Sequence, residues 1–217
     1  MLNDDTKNKI QNIINGTHIS WQADNCTATR NHLCRSFSAS TTVKKDFDNR
    51  LLIKKEQAEV LVKYIDENDL WIPQPPQADQ LLTIGGEADI YMNADDGHVI
   101  KLNDAVYYST WLDFFNSILF HNLLFEETSY QLIGFSKRGE DLQAVLKQAF
   151  VISDAPVDLT AVKDFLEFNG FMNTRRNDYY NKELGLILED IHDENVIMNS
   201  GIMFFIDTVF YIDVEHK

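Results

Sequence analysis

Three polar side chains near the carboxyl end of the sequence, Asp190, Asn195 and Asp207, are of the types that phosphoryl transfer requires. That reaction needs a carboxylate to accept the proton of an incoming hydroxyl, and oxygen ligands that hold magnesium against phosphate groups. Apolar runs flank these residues, and a turn signal at residues 199–201 separates two short predicted strands. We therefore expect Asn195 and Asp207 at one end of a hairpin, with Asp190 beside them as the base.

A second group of residues lies upstream and is suited to binding phosphate. Gly85 and Gly86 begin the run Gly-Gly-Glu-Ala, and Lys101 lies on the next predicted strand but one. Glycines let backbone N–H groups approach a phosphate closely, and a lysine at this position can reach the α- and β-phosphates of a nucleotide. Taken alone, the glycines fit an ordinary turn and Lys101 an exposed strand lysine. Their order relative to Asp190 favours a role in phosphate binding.

The spacing of apolar residues predicts the elements that position these groups. The predicted order is three strands at 81–84, 88–92 and 98–102, a helix at 104–125, two strands at 130–135 and 143–151, a helix at 158–169, and short strands at 186–188, 196–198 and 203–206. This order predicts an α+β fold with an antiparallel sheet, because a parallel sheet requires strands that alternate regularly with helices.

Residues 1–76 are predicted to form a partly helical N-terminal extension. Helical spacing is clear at residues 55–69, whereas the polar residues 21–50 show no usable pattern. The proline-rich run at residues 73–76 breaks any regular element. The main domain is therefore predicted at residues 77–217.

The six residues 190–195, Asp-Ile-His-Asp-Glu-Asn, resemble the Asp-x-His-x-x-Asn catalytic loop of the aminoglycoside phosphotransferase and choline kinase branch of the kinase-like superfamily. Residues 205–207, Phe-Ile-Asp, are similar to the metal-binding strand end of that branch. The whole stretch 81–211 resembles the kinase-like domain of polyvalent proteins from bacterial mobile elements. This resemblance implies a reduced two-lobed protein-kinase-like fold, with an antiparallel N-lobe sheet at about 77–152 and a truncated C-lobe at about 156–217.

The resemblance also implies a role for each candidate site residue. Asp190 would be the catalytic base, and Asn195 and Asp207 would hold Mg²⁺. Gly85 and Gly86 would form a shortened version of the Gly-rich loop over the phosphates of ATP. The cofactors implied are therefore ATP and Mg²⁺.

Lys101 corresponds in this resemblance to the third-strand lysine of kinases. It should point into the cleft between the lobes and pair there with an acid from the following helix. Asp113 is the best candidate by position, and Glu126 and Glu127 are weaker alternatives at the end of the helix. A solvated Asp113 fits the pattern equally well, and it would leave Lys101 without its usual partner.

Three further features are interpreted through the same resemblance or through local pattern. His192 is expected to turn back and brace the catalytic loop, with contact to phosphate as the alternative. His121 and Asn122 interrupt an apolar helix end and fit a buried, hydrogen-bonded pair. Residues 148–151 would link the lobes and bind the adenine edge through their backbone, or would simply end a strand.

The sequence is compatible with three classes of function. One is an ATP- and Mg²⁺-dependent phosphotransferase whose acceptor is an unknown protein or small molecule. The alternative is a non-catalytic kinase-like pseudoenzyme that binds a nucleotide or a protein partner, as the truncated C-lobe would favour. An unrelated α+β structural protein is a third interpretation, which magnesium-dependent ATP binding would exclude.

Composition limits the classes of partner. The chain has 217 residues and a net charge of -15, which argues against binding to nucleic acid because phosphate-tracking proteins need basic patches. The sequence shows neither a signal peptide nor an apolar run long enough to span a membrane, so we expect a cytoplasmic protein. Cys26 and Cys34 lack the spacing of a zinc site and are expected as reduced thiols, with a disulfide left open.

Overall fold

The fold is known from a computed structural model that describes residues 2–37, 47–86, 88–95 and 97–213. These residues form five α-helices and eleven β-strands, and all the named strands pair in antiparallel fashion. The predicted α+β class with antiparallel sheets is confirmed. In the described part of the chain no helix has the length and apolar character needed to cross a membrane.

The helices are α1 (Asp4–Ile14), α2 (Asn25–Phe37), α3 (Phe47–Glu67), α4 (Trp111–Leu124) and α5 (Leu159–Phe168). The strands are β1 (Leu81–Ile84), β2 (Ala88–Met92), β3 (His98–Asn103), β4 (Gln131–Arg138), β5 (Asp141–Ala149), β6 (Met172–Arg175), β7 (Asp178–Asn181), β8 (Leu186–Glu189), β9 (Val196–Asn199), β10 (Ile202–Phe205) and β11 (Val209–Ile212).

The chain divides into two compact units. The five-strand unit comprises His18–Asn116 and Tyr130–Phe150, and it contains β1 to β5. The six-strand unit comprises Met1–Thr17, Ser117–Ser129 and Val151–Lys217, and it contains β6 to β11. Each unit is built around its own sheet or sheets and its own apolar core.

The five-strand unit contains one sheet with the strand order β1-β2-β3-β5-β4. Ile100, Leu102 and Val145 form a buried cluster on β3 and β5, where alternating apolar residues face the core. The β1–β2 turn is closed by a 2.9 Å hydrogen bond from the Gly85 N–H to the Ala88 carbonyl oxygen. Glu87, in the Gly-Gly-Glu-Ala run between β1 and β2, lies outside the described residues.

Helix α4 begins seven residues later than its apolar pattern predicts, at Trp111 instead of 104. Ala105 has a φ of +59°, which no helix accommodates. The helix starts where Thr110 caps it, since the Thr110 hydroxyl accepts a 3.0 Å hydrogen bond from the Asp113 N–H. Local chain geometry therefore overrides the apolar pattern at this boundary.

Helix α2 lies in the polar stretch 21–50, in which no element was predicted. Its Arg30 is 0% exposed, and the guanidinium Nε donates to the Asn116 side-chain oxygen at 3.1 Å. Burial holds the pKa of Arg30 below its usual range. Both cysteines of this helix, Cys26 and Cys34, are free thiols in the structure.

The six-strand unit has a four-stranded sheet, ordered β11-β8-β7-β6, and the separate β9–β10 hairpin. Helix α5 matches the prediction within one residue at each end because Asp158 caps it, accepting a 2.9 Å hydrogen bond from the Thr160 N–H. Its buried residues Val162 and Leu166 face the core of this unit. Strands β6, β7 and β11 were not predicted.

Candidate active site

The catalytic-loop candidate, residues 190–195, connects the end of β8 to the start of β9. Ile191 is buried, and its N–H donates to the Asn177 carbonyl oxygen at 3.0 Å, which fixes the loop to the body of the unit. The Asn195 N–H closes the turn on the His192 carbonyl oxygen, also at 3.0 Å. The Asp190 side chain, in contrast, is 57% exposed. The loop thus holds its backbone firmly while presenting a carboxylate to the outside.

The structure brings Asp190 and Asn195 into direct contact. The Asn195 amide nitrogen donates to the Asp190 carbonyl oxygen at 2.8 Å and to its carboxylate oxygen Oδ2 at 3.1 Å. Because both partners can only accept, the amide nitrogen must face Asp190. The amide oxygen of Asn195 takes no part in either hydrogen bond.

His192 lies within the loop, in the bracing position expected for it. Its Nδ1 accepts a 3.2 Å hydrogen bond from the Glu194 N–H, so the neutral ring carries its proton on Nε2. Nε2 is 3.4 Å from the Asp190 carboxylate oxygen Oδ1 and 3.1 Å from the Asn195 amide nitrogen. The imidazole therefore contacts both of the loop residues to which chemistry is assigned.

Asp207 lies two residues beyond the end of β10, the strand that pairs with β9 and returns to the end where Asn195 lies. In the β9–β10 hairpin Val196 lies opposite Phe205, and the Ile206 N–H donates to the Asn195 carbonyl oxygen at 3.0 Å. Asp207 is the next residue along and is half-buried. Asn195 and Asp207 thus lie at the same end of one hairpin, and the sharing of one Mg²⁺ by their side-chain oxygens stays a prediction.

Negative charge is concentrated around the loop. The Asp190 N–H is 3.5 Å from the Asp178 carboxylate, and Glu189, the last residue of β8, directly precedes Asp190. Burial, together with the charges of Asp178 and Asp190, raises the pKa of Glu189 above its usual range. This surrounding field attracts a cation.

A site for Mg²⁺ here would depend on few protein ligands. Among the described residues no group of three or more His, Cys, Asp and Glu side chains could hold a metal ion. One amide oxygen and one carboxylate are nevertheless compatible with Mg²⁺, which keeps several waters and takes further ligands from substrate phosphates. The donor types of Asn195 and Asp207 fit that pattern.

The end of β10 is anchored by a buried polar network beneath Asp207. The ring of His121 contacts the Thr208 hydroxyl at 2.7 Å through Nδ1, and the Thr128 carbonyl oxygen at 2.9 Å through Nε2. The Thr128 hydroxyl donates to the Phe205 carbonyl oxygen at 2.5 Å. The residues on either side of Asp207 are therefore fixed. His121 is buried and hydrogen-bonded, as predicted, whereas Asn122, predicted to be buried with it, is only half-buried.

In the five-strand unit, Lys101 is 4% exposed on β3, although a strand lysine is usually solvated. Its Nζ lies 3.4 Å from the Tyr130 hydroxyl and 5.2 Å from the centroid of that ring. The aromatic face stabilises a cation at this distance. Sequence reasoning missed Tyr130, and its position directly before β4 was the only signal available.

The other predicted residues of this unit are placed as follows. Gly85 and Gly86 form the turn between β1 and β2. Asp113 is half-buried, and its carboxylate accepts a 2.8 Å hydrogen bond from the Thr110 hydroxyl at the start of α4. Its pairing with Lys101, and phosphate binding by the glycines, stay predictions.

Residues 148–151, the predicted linker, end β5 and include the point where the chain passes from the five-strand unit to the six-strand unit. Gln148 is buried and pairs with Val99 of β3. The Phe150 N–H donates to the Gly97 carbonyl oxygen at 3.0 Å. Recognition of an adenine edge by this backbone stays a prediction.

Comparison with known proteins agrees with the resemblance seen in the catalytic loop. Residues 54–214 match the model of a family described as a serine/threonine/tyrosine kinase found in polyvalent proteins, which is well over half of the 217-residue chain. No curated protein and no solved structure matches the chain. The matched range includes every candidate site residue on both units. The chain therefore belongs to the family of serine/threonine/tyrosine kinases found in polyvalent proteins.

Proposed function

We propose that this chain transfers the γ-phosphoryl group of ATP to a hydroxyl acceptor in a Mg²⁺-dependent reaction. The observation that carries the proposal is the direct contact between Asp190 and Asn195, whose atoms lie 2.8 and 3.1 Å apart. It places an exposed carboxylate beside an amide whose oxygen is turned away from it. Membership of a kinase family supports the same chemistry.

The six-strand unit would supply the base and the metal ligands. Asp190 would accept the proton of the acceptor hydroxyl, since its carboxylate is exposed and the loop backbone beneath it is fixed. Asn195 and Asp207 would hold Mg²⁺, which when bound neutralises charge on the phosphates. His192 would keep the Asp190 carboxylate in position, because its Nε2–H faces Oδ1 of that side chain.

The five-strand unit would bind the phosphates. The ammonium of Lys101 is buried against Tyr130 and would supply a fixed positive charge. Gly85 and Gly86 would let the backbone of the β1–β2 turn approach the phosphates closely. The proposal assigns this unit to the N-lobe of a two-lobed kinase fold and the six-strand unit to a reduced C-lobe. The family description supports a serine, threonine or tyrosine hydroxyl as the acceptor.

The test of the metal site is a titration of ATP, with and without Mg²⁺, followed by calorimetry. We expect the wild type to bind ATP only with Mg²⁺. Asp207→Ala should weaken that binding by more than about tenfold, because changing even a residue that only supports a metal ligand lowers metal affinity by at least about that factor. Asp193→Ala is the matched control, because Asp193 is an exposed acid of the same loop. Equal affinities for Asp207→Ala and wild type would show that the hairpin end is only a polar surface.

The same preparations test for turnover with radiolabelled γ-phosphate. Asp190→Asn should bind MgATP as the wild type does and lose about 10²–10⁴-fold in transfer rate, the usual contribution of a general base. Asparagine is preferable to alanine because Asp190 has a φ of +65°, which Asn tolerates and Ala does not. Full transfer by Asp190→Asn would remove the base from the mechanism.

A second candidate function is nucleotide binding without turnover. It would be favoured if the Asp113 carboxylate, which accepts a 2.8 Å hydrogen bond from the Thr110 hydroxyl in the helix cap, did not also orient Lys101 as the helix acid of kinases orients the strand lysine. Magnesium-dependent ATP binding by the wild type, with no transfer to any serine, threonine or tyrosine substrate, would support this function.

A further inference from the structure

The segment between β3 and α4, residues 104–110, places the side chain of Tyr107 next to Gly86 in the β1–β2 turn. Tyr107 and Val106 are 54% and 58% exposed, whereas Ala105 and Tyr108 on either side of them are buried. Two outward side chains therefore project from a segment that is anchored at both ends. All of the contacts that this segment makes in the account below lie within the five-strand unit.

The anchoring of this segment is specific. The Ala105 N–H donates to the Asn103 side-chain oxygen at 2.7 Å, and the Lys54 ammonium donates to the Ala105 carbonyl oxygen at 2.6 Å. The Tyr108 N–H donates to the same carbonyl at 3.0 Å, and its ring packs edge-on against Phe114. Ala105 is held at a φ of +59°, a left-handed conformation that persists only when its surroundings impose it.

The hydroxyl of Tyr107 lies against the backbone of Gly86. A Cβ added to Gly86 would lie 2.5 Å from that hydroxyl oxygen, closer than real Cβ atoms approach another heavy atom. The hydroxyl can therefore occupy this position only because residue 86 has no side chain. Gly86 thus has two roles here, since it forms the turn and admits the hydroxyl.

We propose that Tyr107 is a nucleotide-binding residue whose hydroxyl donates a hydrogen bond to a phosphate of ATP bound at the β1–β2 turn. The inference rests on the proposed function, because it takes that turn as the phosphate site. It goes further in naming a residue outside the turn, the catalytic loop and the strand lysine. Tyrosine suits the role, since its rigid ring presents a polar tip at low entropic cost.

The proposal is tested with Tyr107→Phe, which keeps the ring and removes the hydroxyl. A hydrogen bond to a charged group stabilises strongly, so we expect the variant to bind MgATP about tenfold more weakly than the wild type. Adenosine, measured as a competitor of labelled ATP, should bind both proteins equally because it has no phosphate. If adenosine displaces labelled ATP from neither protein, weaker MgATP binding by Tyr107→Phe still supports the proposal, since the phosphates then supply all the measurable affinity.

Two further variants make the test specific. Gly86→Ala should displace the end of the Tyr107 side chain and lower the affinity for ATP to a similar extent. The double variant Gly86→Ala/Tyr107→Phe should show no further loss of affinity. Tyr180→Phe is the matched control, because it removes a hydroxyl that donates to Asp213 at 2.8 Å in the six-strand unit. That control should bind ATP as the wild type does.

The outcomes separate this inference from the proposed function. If the wild type binds MgATP and Asp207→Ala does not, but Tyr107→Phe binds like the wild type, the inference is wrong and the proposed function stands. If Tyr107→Phe lowers the affinity for adenosine as much as the affinity for ATP, the residue supports the binding site without contacting phosphate, and the inference is again wrong. If the wild type does not bind ATP, both fail.

Discussion

Asp190 combines an unusual backbone conformation with the side chain that the proposed chemistry needs. Its φ is +65°, a region that most residues with a Cβ avoid but that Asp and Asn tolerate. Glycine would suit the backbone better and would remove the base. The choice of residue at this position is therefore restricted both by conformation and by the carboxylate that Asn195 contacts.

His121 shows how a single buried residue supports the site from below. One neutral tautomer satisfies both of its contacts, since Nε2–H donates to the Thr128 carbonyl oxygen and Nδ1 accepts from the Thr208 hydroxyl. Thr208 directly follows Asp207, so this ring helps to fix the strand end that presents the proposed metal ligand. Its role is structural, and its effect should appear first in stability.

Replacing His121 with Leu keeps most of the volume and removes both hydrogen bonds. Two buried polar groups then each lose their hydrogen bond to the ring, so we expect the free energy of unfolding to fall by about 2–4 kcal/mol in a urea titration. His18→Leu is the control, because His18 is exposed and should change stability by less than about 0.5 kcal/mol. Equal stability of the two variants would contradict the network.

At the level of elements, the outer edge of β4 is covered by a short segment from the N-terminal side of the domain. Residues 70–72 run parallel to β4, with hydrogen bonds of 2.9 Å from the Ile72 N–H to the Phe135 carbonyl oxygen and 2.8 Å from the Phe135 N–H to the Leu70 carbonyl oxygen. Covering an edge strand in this way satisfies backbone groups that would otherwise pair with another chain. Gly134 lies beneath the covering segment.

Gly134→Ala tests how closely that segment packs. The added Cβ would lie 2.5 Å from the Leu70 carbonyl oxygen and 2.7 Å from an Ile72 side-chain carbon. Overpacking of this kind costs about 1–3 kcal/mol, and we expect a loss of that size on thermal or urea unfolding.

The matched control is Gly97→Ala, whose Cβ would meet its nearest neighbour, the Asp95 carbonyl oxygen, at an ordinary 3.7 Å. A Gly134→Ala protein as stable as this control would mean that the segment moves aside at no cost. Hydrogen exchange at the Ile72 and Phe135 amides would then be faster than in the wild type.

For the whole molecule, the net charge of -15 dominates long-range electrostatics. Like charges repel in the compact state, and salt screens that repulsion over a Debye length of about 10 Å at 0.1 M. We expect the unfolding midpoint to rise between low salt and 0.3 M NaCl, measured without Mg²⁺ or nucleotide. KCl at equal ionic strength should give the same rise, and a midpoint that falls with either salt would show that paired charges outweigh the net repulsion.

The sequence alone determined the elements whose signals are local. Strands β1 to β3 follow from their short apolar runs and the turn residues between them, and α5 follows from its apolar spacing and its cap at Asp158. The spacing of Asp190 and Asn195 predicted the loop in which the two side chains touch. In each case the determining contacts lie within a few residues, so the pattern and the structure carry the same information.

Only the tertiary structure decided the features that depend on partners distant in sequence. Helix α2 lacks a usable apolar pattern because its buried residues include Arg30, which is satisfied in part by Asn116, 86 residues away. The start of α4 depends on the left-handed Ala105, whose carbonyl oxygen is held by Lys54. The approach of Tyr107 to Gly86 likewise required the fold. Buried polar side chains and strained backbone conformations are stabilised by contacts with residues distant in sequence, and composition and periodicity do not encode those contacts.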